Sequence, residues 1–159
     1  MRHLMAAVAL ALAPSSVQAA GWRLAATSQT ESPRTYAATF VDTATIRREG
    51  NVVSFRSLTV WEQDVSSADN SRSLTSADCR DHSFRDLGIT YYKGPALVEQ
   101  GKPEPRSIAG PGSARDRMIG AVCGTQVWLT GVVKDPYGWS RAAFGKLHAG
   151  GYWPLELGR

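Results

Sequence analysis

Residues 35–62 read TYAATFVDTATIRREGNVVSFRSLTVWE, and this stretch decides the fold. Ile46 to Val53 reads as a tight hairpin, with Gly50 or Asn51 able to take the positive φ that such a turn demands. Before it, Thr35 to Asp42 reads as a strand, and Thr43-Ala44-Thr45 bends the chain. After it, Asn51 to Glu62 reads as a long returning strand, because β-branched and aromatic residues favour a pleated surface. Two strands joined by a short turn begin an antiparallel sheet.

Upstream, Trp22, Leu24 and Ala26 alternate as in a half-buried strand, and Ser28 to Pro33 is turn material. Downstream, Asp64 to Ser73 is polar and without period, which predicts a loop. Leu74 to Tyr92 is the next extended stretch, with a bend or bulge expected near Gly88. Gly94-Pro95 turns the chain, and Ala96 to Gln100 can form another strand. Residues 101–112 hold three prolines and three glycines and predict a loop. The clearest helix begins at Ser113. Ser113 and Asp116 have capping-box spacing, Met118, Ile119, Val122 and Cys123 share one face, and Gly124 stops the helix. Strands followed by a helix predict an α+β fold, a small antiparallel β-sheet with a C-terminal helix on it. The tail differs in texture. Gln126 to Val133 predicts one more strand. Gly138 to Gly150 predicts a short helix with Trp139, Ala143 and Leu147 on one side. Its aromatic residues are expected either to close over the open sheet face or to meet a partner.

The first residues read as an export signal: a basic head at Arg2, an apolar run from Leu4 to Ala13, a break at Pro14 and small residues up to Ala19. The run is too short to span a bilayer, which takes roughly 20 residues. The expected organisation is therefore a signal peptide over 1–19, a domain over 20–124 and an aromatic-rich extension over 125–159. The 159-residue chain has a formal net charge of +4. That mild excess favours acidic partners without selecting one. Cys79 and Cys123 are its two cysteines. In an exported chain they predict a disulfide, two buried thiols being the alternative. The bridge would tie the helix back to the sheet.

Catalytic patterns are sparse. His82 and His148 stand far apart, without a further ligand at metal spacing. Asp81 and His82, if adjacent on a strand, point to opposite faces and do not make a triad with a serine. The expectation is a non-enzymatic protein with no metal and no cofactor. Binding residues are easier to nominate. Arg80, Arg85 and Lys93 surround the strand after Cys79, Arg47 and Arg48 crown the hairpin, and Trp139 and Trp153 lie in the tail. Charges on a sheet edge also serve to keep sheets from pairing with one another.

Taken in order, several short motifs resemble a known family: Phe40-Val41-Asp42, Ile46-Arg47-Arg48-Glu49-Gly50-Asn51, a strand ending near Trp61, Ala77-Asp78-Cys79-Arg80, Tyr91-Tyr92, Pro111-Gly112-Ser113 and Ala121-Val122-Cys123. Over about residues 35–124 the chain resembles the bacterial surface-adhesin protein E family. The resemblance implies an antiparallel sheet with a C-terminal helix joined to it by the disulfide, in a Gram-negative envelope protein. It also implies binding of host matrix or serum proteins, since relatives bind vitronectin, laminin and plasminogen. The partner is expected to be such a protein or an envelope component, not nucleic acid, and no segment of the mature chain is expected to span a membrane. With no lipidation cysteine after the apolar run, a periplasmic or secreted location is expected. The alternative is a periplasmic assembly factor that docks through the tail.

Overall fold

The computed structural model describes residues 21–31 and 34–155. The signal-peptide reading of residues 1–19 lies outside them. Strand β1 is Trp22–Glu31, β2 Arg34–Glu49, β3 Val52–Val65, β4 Ala68–Asp78, β5 Ser83–Lys93, β6 Ala96–Gly101 and β7 Ser107–Ile108. Helix α1 (Ala114–Cys123) follows, then β8 (Val132–Val133) and helix α2 (Pro136–His148). Every strand pairing is antiparallel, in the order β6-β5-β4-β3-β2-β1-β8, with β7 sharing the outer edge of β5. The fold is the α+β plan read from the sequence.

The deciding hairpin forms where expected. Glu49 pairs with Val52 across Gly50-Asn51, and Gly50 takes φ 59°. The bend expected at Thr43-Ala44-Thr45 appears as a register shift between Asp42 and Arg47. The bulge expected near Gly88 falls where Leu74 pairs with Gly88 and Thr75 with Asp86, leaving Leu87 extra. Helix α1 is capped by Ser113, whose hydroxyl accepts the Asp116 N–H at 3.1 Å, and Gly124 closes it at φ 82°.

Four readings need correction. Ser28 to Pro33 is not all turn, since β1 runs on to Glu31 in register with β2. Asp64 to Ser73 is not a loop. It holds the end of β3 and the start of β4, joined through Ser66 and Ser67, both at positive φ (50° and 67°). Leu74 to Tyr92 is two strands, with a turn at residues 79–82 where His82 takes φ 53°. His82 and Asp81 therefore lie in a turn, not on a strand. In the tail, only Val132 and Val133 of the stretch 126–133 form a strand, on β1.

Two cores lie on opposite faces of the sheet. Under α1, Val41, Val53, Phe55 and Ala77 meet Met118, Ile119 and Val122. On the other face, Leu24, Tyr36, Ala38, Phe40, Leu58 and Val60 meet Phe144 of α2, with Trp139 and Trp153 packed against them. Side chains alternate across a strand, so β2 and β3 serve both cores at once. The cores are offset along these long strands, and among the described residues no helix covers the other half of each face.

Candidate functional site

Helix α1 is anchored at three places. The Cys79–Cys123 disulfide joins its last turn to the residue after β4. Asp116 in its first turn takes a 2.5 Å hydrogen bond with His82 Nδ1, and also accepts the Gly112 N–H at 2.9 Å. The His82 contact, first among several, lowers the Asp116 pKa below the ordinary carboxylate value. Arg115 makes a two-pronged pair with Asp86 at 3.2 and 2.8 Å, and its guanidinium lies over the Phe84 ring. Asp86 is only 1% exposed and also accepts the Thr75 hydroxyl.

The nominated basic residues divide among three places. At the disulfide end, Arg48 donates to the Val122 carbonyl at 3.2 Å, which stitches the hairpin to the helix terminus. Arg80 grips Asp78 at 2.9 Å and, by that bond first, holds the Asp78 carboxyl at about 2. A depressed carboxylate contributes stability that is present above its unfolded value, near 3.9, and lost as pH falls through the folded value. This contribution therefore disappears between about pH 4 and pH 2. Arg80→Ala is expected to bring the Asp78 titration back toward 3.8, read by carboxyl-carbon NMR. At the far end, Lys93 pairs with Asp64 and lies 3.9 Å from Asp69. Burial works to raise the Asp69 pKa, but hydrogen bonds from Asn70, the Gly94 N–H and Tyr137 outweigh it and the net shift is downward.

Arg47 and Arg85 stand at the two ends of one row on the α2 face, with β3 and β4 between them. Directly opposed residues on neighbouring antiparallel strands share a face. Arg47 pairs with Ser54, Ser54 with Ser76 and Ser76 with Arg85, which makes one row. The next row runs Trp22, Asp42, Arg56, Leu74, Gly88, and the one after holds Leu58, Arg72 and Thr90. Four arginines thus stand on three successive rows, all exposed. Arg56 and Arg72 were not nominated from the sequence. They border a depression of about 560 Å³ floored by Leu74, Gly88 and Thr90, with Trp22 at one side. Gly88, without a side chain, helps to make it. Arg72 lies over the Tyr92 ring at 5.2 Å, and the Arg56 guanidinium has no side-chain partner among the described residues. Asp42, the acid within these rows, is 8% exposed and already accepts the N–H groups of Gly21 and Ala44. Glu49 and Asp78 lie one row further out, Asp78 being taken by Arg80.

Trp139 and Trp153 are held inward. They stack on one another at 6.4 Å, and Trp139 meets Phe40 edge-on while Trp153 meets Tyr36 and Phe144. Tyr152, by contrast, is almost fully exposed. Among the described residues, no three His, Cys, Asp or Glu side chains are grouped to hold a metal, and no helix is long and apolar enough to cross a membrane.

This is a single sheet clamped by a helix and a disulfide, with two half-faces of the sheet not covered by a helix among the described residues. The family model described as Surface-adhesin protein E matches residues 26–124, and the chain belongs to that family. No curated protein and no solved structure matches the chain. The matched residues include the hairpin, the disulfide and α1; β8 and α2 lie beyond them.

Proposed function

We propose that this is an exported, non-enzymatic envelope protein that acts by binding an acidic segment of another protein through the arginine face. The partner class, a host matrix or serum protein, is the one the family membership favours. The observation that carries the reading is the row arrangement of Arg47, Arg85, Arg56 and Arg72 on an open sheet face. Arginine presents a flat donor fork suited to carboxylates, and it is weakly hydrated enough to be brought into an interface. Leu74 between the arginines and Trp22 at their side supply apolar contact of the kind that anchors interfaces. The alternative, docking through the aromatic tail, has less support because Trp139 and Trp153 spend their surfaces on the protein's own core.

The test is a binding assay with the mature protein on immobilised vitronectin, laminin and plasminogen, with the Arg56→Glu/Arg72→Glu variant alongside. Charge reversal on an exposed face should leave the fold and melting temperature unchanged. Binding should weaken by about a hundredfold, each reversed contact being worth roughly 1–2 kcal/mol. Raising salt from about 0.05 to about 0.2 M should weaken the wild type and have little effect on the residual binding of the variant. Equal binding by both proteins would remove the arginine face from the mechanism. Protease shaving of intact cells, compared with ruptured cells, tests display at the surface against a periplasmic location.

A further inference from the structure

The open half of the α1 face has a different chemistry. Where α1 covers this face, the strands present Val41, Val53, Phe55 and Ala77. Beyond the helix the same face turns to short hydroxyl residues. Thr39, Thr59 and Ser71 form one row, ending at Tyr91, and Ser57 and Ser73 form the next, ending at Ile89. These residues floor a groove of about 300 Å³, walled by Trp61, Met118 and Arg115.

The serines are the unusual feature. Ser57, Ser71 and Ser73 are 3, 4 and 8% exposed as residues, and their hydroxyls, which have no protein partner among the described residues, keep access to solvent at the groove. Their bonding capacity is therefore met by water in the free protein and can be transferred to a ligand that displaces that water. A merely solvated sheet face would carry long charged side chains, as the opposite face does. Three short, unpartnered hydroxyls side by side at the bottom of a groove are arranged to bond something that enters it.

The surroundings select the ligand class. Arg115 is neutralised by its two-pronged pair with Asp86, so among the described residues the groove offers no free charge to an anion or to a cation. The floor is the face of a sheet with β3 and β4 hydrogen-bonded on both sides, so no backbone edge is available for an extended peptide. What remains is hydroxyl chemistry beside a half-buried indole, Trp61, which is stacked with Tyr91 at 6.3 Å. A pyranose matches both, with hydroxyls around its rim and an apolar C–H face. The volume is at the lower end of small-molecule pockets and suits one or two such rings. We propose that this groove is a binding site for a neutral saccharide unit, held by Ser57, Ser71 and Ser73 and flanked by Trp61. It is separate from the arginine face.

The test is an NMR titration of the ¹⁵N-labelled mature protein. The probes are neutral mono- and disaccharides of glucose, galactose and N-acetylglucosamine, with glucuronate and an uncharged hexapeptide for contrast. The expected result is a saturable shift of the Ser57, Thr59, Ser71 and Ser73 amides by at least one neutral sugar, with Kd in the range of about 0.1–10 mM. Ser71→Ala/Ser73→Ala should weaken it by about tenfold or more, with a melting temperature close to that of the wild type. Arg56→Glu/Arg72→Glu should bind the sugar normally, which separates this site from the protein-binding one. The proposal is overturned if no neutral sugar saturates these amides, or if the contrast probes bind there more tightly. It is equally overturned if the serine variant binds undiminished or melts well below the wild type.

Discussion

Replacing Arg115 by Met is expected to destabilise the protein by about 3 kcal/mol, at the low end of what breaking a buried ion pair costs. The reason lies in what the substitution leaves behind. Asp86 is 1% exposed, and three bonds hold its carboxylate: two from Arg115 and one from the Thr75 hydroxyl. Without the guanidinium, a buried charge would keep one donor. Methionine keeps an apolar stem over Phe84, so lost packing contributes little to the effect. The Arg115 side chain is 31% exposed, so water reaches this end of the pair and the cost stays below that of a fully enclosed one. The same reasoning predicts a rescue. Asp86→Leu in the Arg115→Met background removes the stranded charge and should recover most of the loss, because apolar replacement of both members of such a pair is close to neutral. Urea denaturation of wild type, single and double variants checks both statements. A single variant within about 0.5 kcal/mol of wild type would show that the pair is not what keeps Asp86 buried.

The same residues show why part of this protein was legible in its sequence and part was not. The Gly50 hairpin, the Ser113 cap, the Gly124 stop and the cysteine pair rest on local chemistry, and each appears where it was read. The first half of strand β4, up to Ser73, reads as a loop for two physical reasons. Its turn is built on Ser66 and Ser67 in left-handed backbone, a conformation that sequence rules reserve for Gly and Asn. Its first residues, Asp69 to Ser73, look like a loop because they are polar. They are polar within a sheet because Asp69 and Asn70 bond across to Gly94 and the serines face a groove. The arginine face followed from that miss. Arg56 and Arg72 are neighbours through register alone, Arg56 lying opposite Leu74 and Arg72 opposite Leu58. Once β4 is recognised, the alternation Arg72, Leu74, Ser76 is the available signal, since it puts Arg72 on the same face as Arg56 across the ladder. Of the residues nominated from sequence, Arg47 and Arg85 stand on that face, Arg48, Arg80 and Lys93 serve local contacts elsewhere, and Trp139 and Trp153 are core.

Removing the disulfide, as Cys79→Ser/Cys123→Ser, is expected to cost about 4 kcal/mol and lower the melting temperature by roughly 10–15 °C. The bridge closes a loop with a sequence separation of 44, and the chain-entropy cost of opening a loop that long is of this size. The loss should fall almost wholly on the unfolded state, because the folded helix keeps its other attachments. Asp116 still holds His82, Arg115 still holds Asp86, Arg48 still holds the Val122 carbonyl, and Met118, Ile119 and Val122 stay in the core. Two observations separate this account from one in which the bridge is needed to hold the helix down. An unfolded chain freed of its cross-link exposes more surface, so the urea m-value should rise as the midpoint falls. Amide exchange in α1 should quicken only as much as the global stability drops, because the helix still opens with the rest of the protein. If α1 instead exchanges far faster than the sheet, the disulfide is a clamp on the native state. The ion pairs at the first turn would then be too weak to keep the helix docked without it.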